Sequence, residues 1–274
     1  MKPVDFDFEK SSDIKSALET LGNGEDVRKV ISGGQSMGPM LNLRLVRPDM
    51  LVDVTQVREL CDVLDNGASI TYGAATRHAA FEDAVVPDAA AGMMRSVASG
   101  IAYRAVRNRG TIGGSLAHAD PAADWVTTTV ALDAQFTLRN KNGQRNVAAS
   151  AFFLGAFTTA LGEGEIIESV TVPKLTADAA WGYYKICRKV GEFADASAAV
   201  VVDPKRQYCR VVMGALDGAP VILEDFADTL ATRGRDALAD LKDIVHNALP
   251  DASPVAVRQH EVALRRAIEQ VYPS

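Results

Sequence analysis

The chain has 274 residues, 47% of them hydrophobic and 23% charged, with a net charge of −6 at neutral pH. That length can bury a sizeable core, and an acidic balance without a dominant basic cluster argues against a nucleic-acid or anionic-membrane partner. No apolar stretch reaches the roughly 18 residues of a membrane span, and the opening MKPVDFDFEK lacks an apolar run, so neither a transmembrane segment nor a signal peptide is expected.

In chain order, Ile14, Ala17, Leu18 and Leu21 fall at helical spacing, with Ser11 and Ser12 as caps and Gly22-Asn-Gly24 as the stop. Val27–Ile31 reads as a strand entering a glycine loop, and Met50–Val54 as another strand that closes a first lobe near residue 55. Ala68–Tyr72 opens a second lobe as a strand. Helices are expected over Arg77–Glu82, Ala89–Ala98 and Ala122–Ala131. Gln135–Arg139 and Gln144–Val147 flank a Lys-Asn-Gly turn and predict a hairpin, and Ile166–Val172, ending in Pro173, predicts a last strand. Beyond a boundary near Lys174–Ala179, Trp181–Ile186, Ala196–Val202 and Tyr208–Ala215 read as three strands. Two amphipathic helices then follow, the last capped by Ser253 with Pro254 in its first turn.

The cysteines, Cys61, Cys187 and Cys209, are odd in number and lack paired spacing. A disulfide framework, a zinc site and an iron–sulfur site are excluded on that count. Each reads as a small buried apolar residue, and the cytoplasm is the expected compartment. No triad signature such as G-x-S-x-G joins the four histidines to a serine, so no catalytic residue is assigned. A metal at the His-x-Asp pair His118 and Asp120 is disfavoured because no third ligand is in sight.

Two glycine-centred stretches carry the chemistry, Ile31-Ser-Gly-Gly-Gln-Ser-Met-Gly38 and Gly110-Thr-Ile-Gly-Gly-Ser115. Neither is a G-x-G-x-x-G fingerprint or a Walker A loop. Paired glycines beside hydroxyl and amide side chains let backbone N–H groups converge on an anion, and two such nests suit a pyrophosphate. The arginines of 104–109 abut the second stretch and read either as a solvated face or as one turned to a cofactor or partner.

Together with their flanks, residues 31–54 and 107–134, these stretches resemble the FAD-binding medium subunit of the molybdenum hydroxylases, the family of carbon monoxide dehydrogenase and xanthine dehydrogenase. Tyr184-Lys-Ile-Cys-Arg-Lys-Val-Gly-Glu-Phe-Ala194 resembles the same family's third motif. The resemblance implies an α+β chain. A two-lobed FAD-binding domain of PCMH-like fold spans 1–174, with lobes of about 1–55 and 56–174. A C-terminal domain of a small antiparallel sheet with helices spans 175–274.

The resemblance also implies where FAD binds. Lys29, Val30, Ile31, Ser32, Gly33, Gly34, Gln35, Ser36 and Met37 would form one pyrophosphate loop, and Gly110, Thr111, Ile112, Gly113, Gly114 and Ser115 the other. Asp124 would meet a ribose or ribityl hydroxyl and His118 would lie near the flavin. Ile167 and Phe193 would flank the ring, with Phe193 lacking the hydroxyl of the tyrosine common there. Lys185 would place a cation at the flavin edge. Attachment is expected to be non-covalent, with His78 and His118 the first residues to suspect otherwise. The implied assembly is a dimer of heterotrimers, in which a large partner holds the molybdopterin cofactor and a small one holds two [2Fe–2S] clusters. A stand-alone flavin oxidoreductase and a non-redox nucleotide-binding module are the competing readings.

Overall fold

A computed structural model describes residues 2–22 and 26–273. The first lobe is a three-stranded parallel sheet of β1 (Asp7–Lys10), β2 (Arg28–Ile31) and β3 (Met50–Asp53), in the order β1-β3-β2. Parallel neighbours need crossovers, supplied here by α1 (Ile14–Gly22) and α2 (Met37–Asn42). Helix α1 lays Ile14, Ala17 and Leu18 on Val52 and Val54 of the sheet. Its start is held by Asp13, whose Oδ1 accepts from Ser16 N at 2.9 Å; the expected serine caps do not act, and Ser11 Oγ is buried without a partner. Of the expected stop, only Gly22 lies among the described residues. Strand β1 went unexpected because Asp-Phe-Glu-Lys carries one apolar residue and no alternating face.

The second lobe is a five-stranded antiparallel sheet. Its members are β4 (Val63–Asp65), β5 (Ser69–Gly73), β6 (Gln135–Asn140), β7 (Gly143–Ala148) and, after the short pair β8 (Phe153–Gly155) and β9 (Thr158–Thr159), the central β10 (Ile166–Pro173). The order is β4-β5-β10-β6-β7. Strands β6 and β7 form the expected hairpin, and Pro173 sits at the strand end, where its missing N–H costs no ladder bond. A bulge between Ile167 and Ser169 lets consecutive isoleucines serve different cores: Ile166 packs with the first lobe and Ile167 with the second. Between β5 and β6 run α3 (His78–Glu82), α4 (Met93–Ser99), α5 (Arg104–Arg107), α6 (Ile112–His118) and α7 (Asp124–Ala131), and α8 (Ala149–Phe152) follows β7.

The remaining sheet, β11 (Ala180–Ile186), β12 (Ala196–Asp203), β13 (Tyr208–Gly214) and β14 (Val221–Ile222), is antiparallel in chain order. One face of β12 and β13 packs Ala199, Val201 and Val212 into the large core of the second lobe. The other buries Ala198, Val200, Val211 and Met213 with α9 (Glu224–Arg233), α10 (Leu241–Ala248) and α11 (Pro254–Val271). Three helices therefore close the chain, one more than the sequence pattern suggested. Ser253 caps α11 as expected, accepting from Ala256 N at 3.2 Å. The cysteines depart from expectation: Cys61 is exposed and the other two are half-buried. No described helix is long and apolar enough to cross a membrane.

Helix α11 touches β11 backbone to backbone. A Cβ at Gly182 would stand 1.9 Å from the Ala267 carbonyl oxygen, whereas one at Gly38 meets nothing within 4 Å. Gly182→Ala should therefore lower the unfolding free energy by at least the ~1–3 kcal/mol of ordinary overpacking. Gly38→Ala should leave it unchanged or raise it by up to ~1 kcal/mol. Urea denaturation of both proteins checks this; equal midpoints would refute the contact.

Candidate functional site

The two glycine loops meet. Gly33 is buried, and a Cβ there would lie 2.0 Å from the Arg109 carbonyl oxygen and 2.7 Å from Gly110 Cα. Thr111 Oγ1 donates to Ser32 Oγ at 3.1 Å across the same junction, and Gln35 Nε2 ties its own loop by donating to Gly33 O at 2.9 Å. Gly33 is thus glycine because another backbone occupies the place of its side chain.

The loops differ in what they offer an anion. Through Ser32–Met37, with Gly34 at φ +71°, six consecutive backbone N–H groups donate to no acceptor among the described residues. This is an open nest running into the first turn of α2. In the second loop most N–H groups are already engaged. Ile112 N donates to Thr76 O, Gly113 N to Ala74 O, Ser115 N to Thr111 O, and Gly114 N to the capping Thr111 Oγ1. The two nests read from the sequence therefore differ in how many donors they leave open. The second loop contributes an exposed Gly114 backbone and the Ser115 hydroxyl, while its own bonds fix the junction.

These loops form one wall of a cleft of about 1520 Å³, larger than a typical small-ligand pocket and ample for a dinucleotide. Lys29–Met37, Gly110, Thr111, Gly113–Ser115, His118, Asp124, Ile167 and Phe193 all line it. Two expected residues do not. Ile112 is fully buried in the core beneath the loop. Lys185 reaches Asp124 Oδ1 at 2.8 Å and donates to Gly100 O at 3.0 Å, so its ammonium is held by the protein instead of facing the cleft.

Asp124 opens α7, and its Oδ1 also accepts from Tyr183 OH at 2.8 Å. Burial pushes this carboxyl above its usual range, opposed by the Lys185 ammonium, and burial beside the carboxylate raises the Tyr183 phenol well above its ordinary value. Lys185 and Tyr183 lie on β11, so this network joins the cleft to the C-terminal sheet. The segment after β11 follows it into the cleft, bringing Arg188, Gly191, Glu192 and Phe193 to the lining. Gly191 (φ +89°) lies against the Ala102 backbone, and Phe193 is 71% exposed. Arg188 and Glu192 belong to the third motif and were legible there; Tyr103, Val106 and the 161–165 turn also line the cleft, without a sequence signal.

Two histidines border the cleft differently. His118 packs against Phe157 with tilted rings, their centroids 5.1 Å apart, and burial holds its pKa below the usual value. His78 is buried, and its Nδ1 accepts from Trp125 Nε1 at 3.0 Å. Burial, then the Arg107 charge, depress its pKa to about 4.

An open anion nest, free hydroxyls and an aromatic-fringed cleft define a dinucleotide-binding protein. The family described as the FAD binding domain in molybdopterin dehydrogenase matches residues 4–175. The chain is 33% identical over 258 residues to the 6-hydroxypseudooxynicotine dehydrogenase complex subunit alpha of Paenarthrobacter nicotinovorans, covering 93% of this chain and 87% of that one. To the carbon monoxide dehydrogenase medium chain of Hydrogenophaga pseudoflava it is 35% identical over 202 residues, 74% of this chain and 70% of that one. A solved chain of reconstituted CO dehydrogenase from Oligotropha carboxidovorans superposes with a TM-score of 0.88 at 29% identity, over 99% of both chains. The chain belongs to the FAD-binding medium subunits of the molybdenum hydroxylase family, and FAD is its cofactor.

Two outcomes follow from this geometry. Gly33→Ala should drive the loops apart, lowering both flavin content and melting temperature; a variant that loses flavin with its melting temperature intact would contradict the backbone contact. For His78, the unfolded chain binds a proton near pH 6.5 and the folded chain only near pH 4. Stability is therefore complete above pH 6.5 and falls by roughly 3 kcal/mol as pH drops to about 4. In His78→Asn, whose Oδ1 still accepts from Trp125, that slope should largely vanish in pH-dependent denaturation; an unchanged slope would clear His78.

Proposed function

We propose that this chain is the electron-transfer subunit of a heterotrimeric molybdenum hydroxylase, working as a dimer of heterotrimers in the cytoplasm. A large partner holds the molybdopterin cofactor and a small one two [2Fe–2S] clusters. Electrons from substrate oxidation leave through this subunit to an external acceptor. The observation that carries the reading is the run of free N–H groups at Ser32–Met37 in the cleft wall. The relatives add support: one is named for 6-hydroxypseudooxynicotine and another for carbon monoxide. Substrates so unlike each other point to a specificity held outside this subunit.

In this reading residues 1–174 hold the cofactor and 175–274 brace it. FAD supplies the redox chemistry, accepting and releasing electrons at its ring. The N–H groups of Ser32–Met37 hold the pyrophosphate, and the hydroxyls of Ser36 and Ser115 add donors that do not depend on charge. Asp124 accepts from a sugar or ribityl hydroxyl, with its Oδ1 held by Lys185 and Tyr183. Ile167 and Phe193 flank the ring. Lys185 then acts through Asp124, a role different from the direct cation expected from the motif.

Purification through a tag on this chain should yield two further chains with flavin and iron–sulfur absorption. Flavin alone would favour a stand-alone oxidoreductase, and no flavin a non-redox module. In the complex, removing the flavin should leave cluster bleaching by substrate intact, while turnover with an external acceptor falls at least tenfold. Loss of cluster bleaching in an otherwise intact complex would end the relay reading.

A further inference from the structure

We infer that a second pocket, behind the junction of the glycine loops, binds a phosphate-class oxyanion. The pocket has a volume of about 150 Å³, and its polar lining comes from Ser32, Thr55, Arg77, Asn108, Arg109 and Thr111. At about 30 Å³ per water, it holds a tetrahedral oxyanion with some remaining hydration and is too small for a nucleoside.

The arginines of this region divide into two kinds. Arg104 is neutralised by Glu82 and Asp83. Arg107 pairs with both Glu82 oxygens and donates to the carbonyls of Ile101 and Ala102. Both are structural. Arg77 and Arg109 form no ion pair and no side-chain hydrogen bond among the described residues, and both line the small pocket. Two arginines without an ion-pair partner among the described residues thus line one concavity, on a chain whose net charge is −6. An oxyanion between them accepts charge-assisted, fork-shaped hydrogen bonds. The Thr55 hydroxyl and the Asn108 amide add neutral donors.

The backbone around the pocket is well determined. Arg77 and Thr111 face each other in an isolated antiparallel bridge, and His78 N donates to Gly110 O at 2.9 Å. Arg109 N donates to Val106 O at 3.0 Å. Its own carbonyl is the group that excludes a Cβ from Gly33. The pocket shares Ser32, Gly33, Ala75 and Thr111 with the large cleft, while Arg77, Asn108 and Arg109 belong to the small pocket and not to the cleft lining. An ion seated here therefore braces the junction where the start of the nest, at Ser32 and Gly33, meets Arg109 and Thr111. By linkage, an ion that stabilises the junction should also tighten flavin binding.

Calorimetric titration of the FAD-loaded protein with inorganic phosphate tests the inference, whatever the redox role of the subunit. The expected result is one phosphate per chain, bound at least tenfold more weakly in Arg77→Gln and in Arg109→Gln, with Arg233→Gln, which lies outside the pocket and pairs with Asp240, unchanged. Arg109→Lys, which keeps the charge and loses the fork, should fall between. Phosphate should also raise the melting temperature of the native protein and not that of the double Gln variant. Unchanged affinity in the double variant would overturn the inference. So would phosphate that binds only once FAD is removed, which would place it in the cleft. Loss of partner chains in the Gln variants with phosphate affinity intact would also overturn it, making these arginines a docking surface for acidic side chains.

Discussion

Everything at the cleft depends on one close backbone approach. Arg109 O and Gly110 Cα occupy the space where a side chain at position 33 would stand, so two segments far apart in sequence form a single wall. The junction cannot be loosened locally. Thr111 Oγ1 both donates to Ser32 and caps α6 by accepting from Gly114 N, and the second loop is bonded to the backbone of residues 74–78. Fixing one loop with its own hydrogen bonds leaves the other free to keep its N–H groups unpaired. Such groups are costly to bury without an acceptor, and a wet cleft that receives an anionic ligand is where a folded chain tolerates them.

The Asp124, Lys185 and Tyr183 network shows a different balance. Three polar groups withdrawn from water stabilise little by attraction alone, because desolvation offsets most of the gain. Removing one partner leaves a buried charge and costs several kcal/mol. The network therefore acts as a constraint on geometry more than as a source of stability. It holds the first turn of α7 against β11 and, through β11, sets where the 188–193 segment meets the cleft.

Much of this was legible in the sequence because periodicity and glycine placement are local signals. The helix at Ile14, the hairpin around Lys141–Gly143, the three C-terminal strands and the Ser253 cap follow from residue spacing. Most cleft residues came instead from the family resemblance, which the glycine stretches and the third motif carry on contiguous segments. What the sequence concealed is pairwise and non-local. Strand β1 is defined by its parallel partner β3, its own four residues carrying no strand pattern. The engagement of the second loop's N–H groups depends on residues 74–76, more than thirty positions upstream, and the diversion of Lys185 to Asp124 depends on a carboxylate in another lobe. Spacing and resemblance together pointed to which residues gather, and not which atoms are already occupied.

Helix α7 is buried along its whole length, from Asp124 to Ala131, between the second lobe and the β12–β13 face. The Thr127 hydroxyl lies so near Gly214 that no Cβ fits between them. The region matched by the FAD-binding family ends at residue 175, yet the core continues through Ala199, Val201 and Val212. The limit of the sequence family is thus not a limit of autonomous folding. A fragment cut at 175 would turn one side of α7 and its buried threonines toward water, and would associate or melt before its cleft could be studied. The later strands are younger in the chain but equal members of the same hydrophobic body.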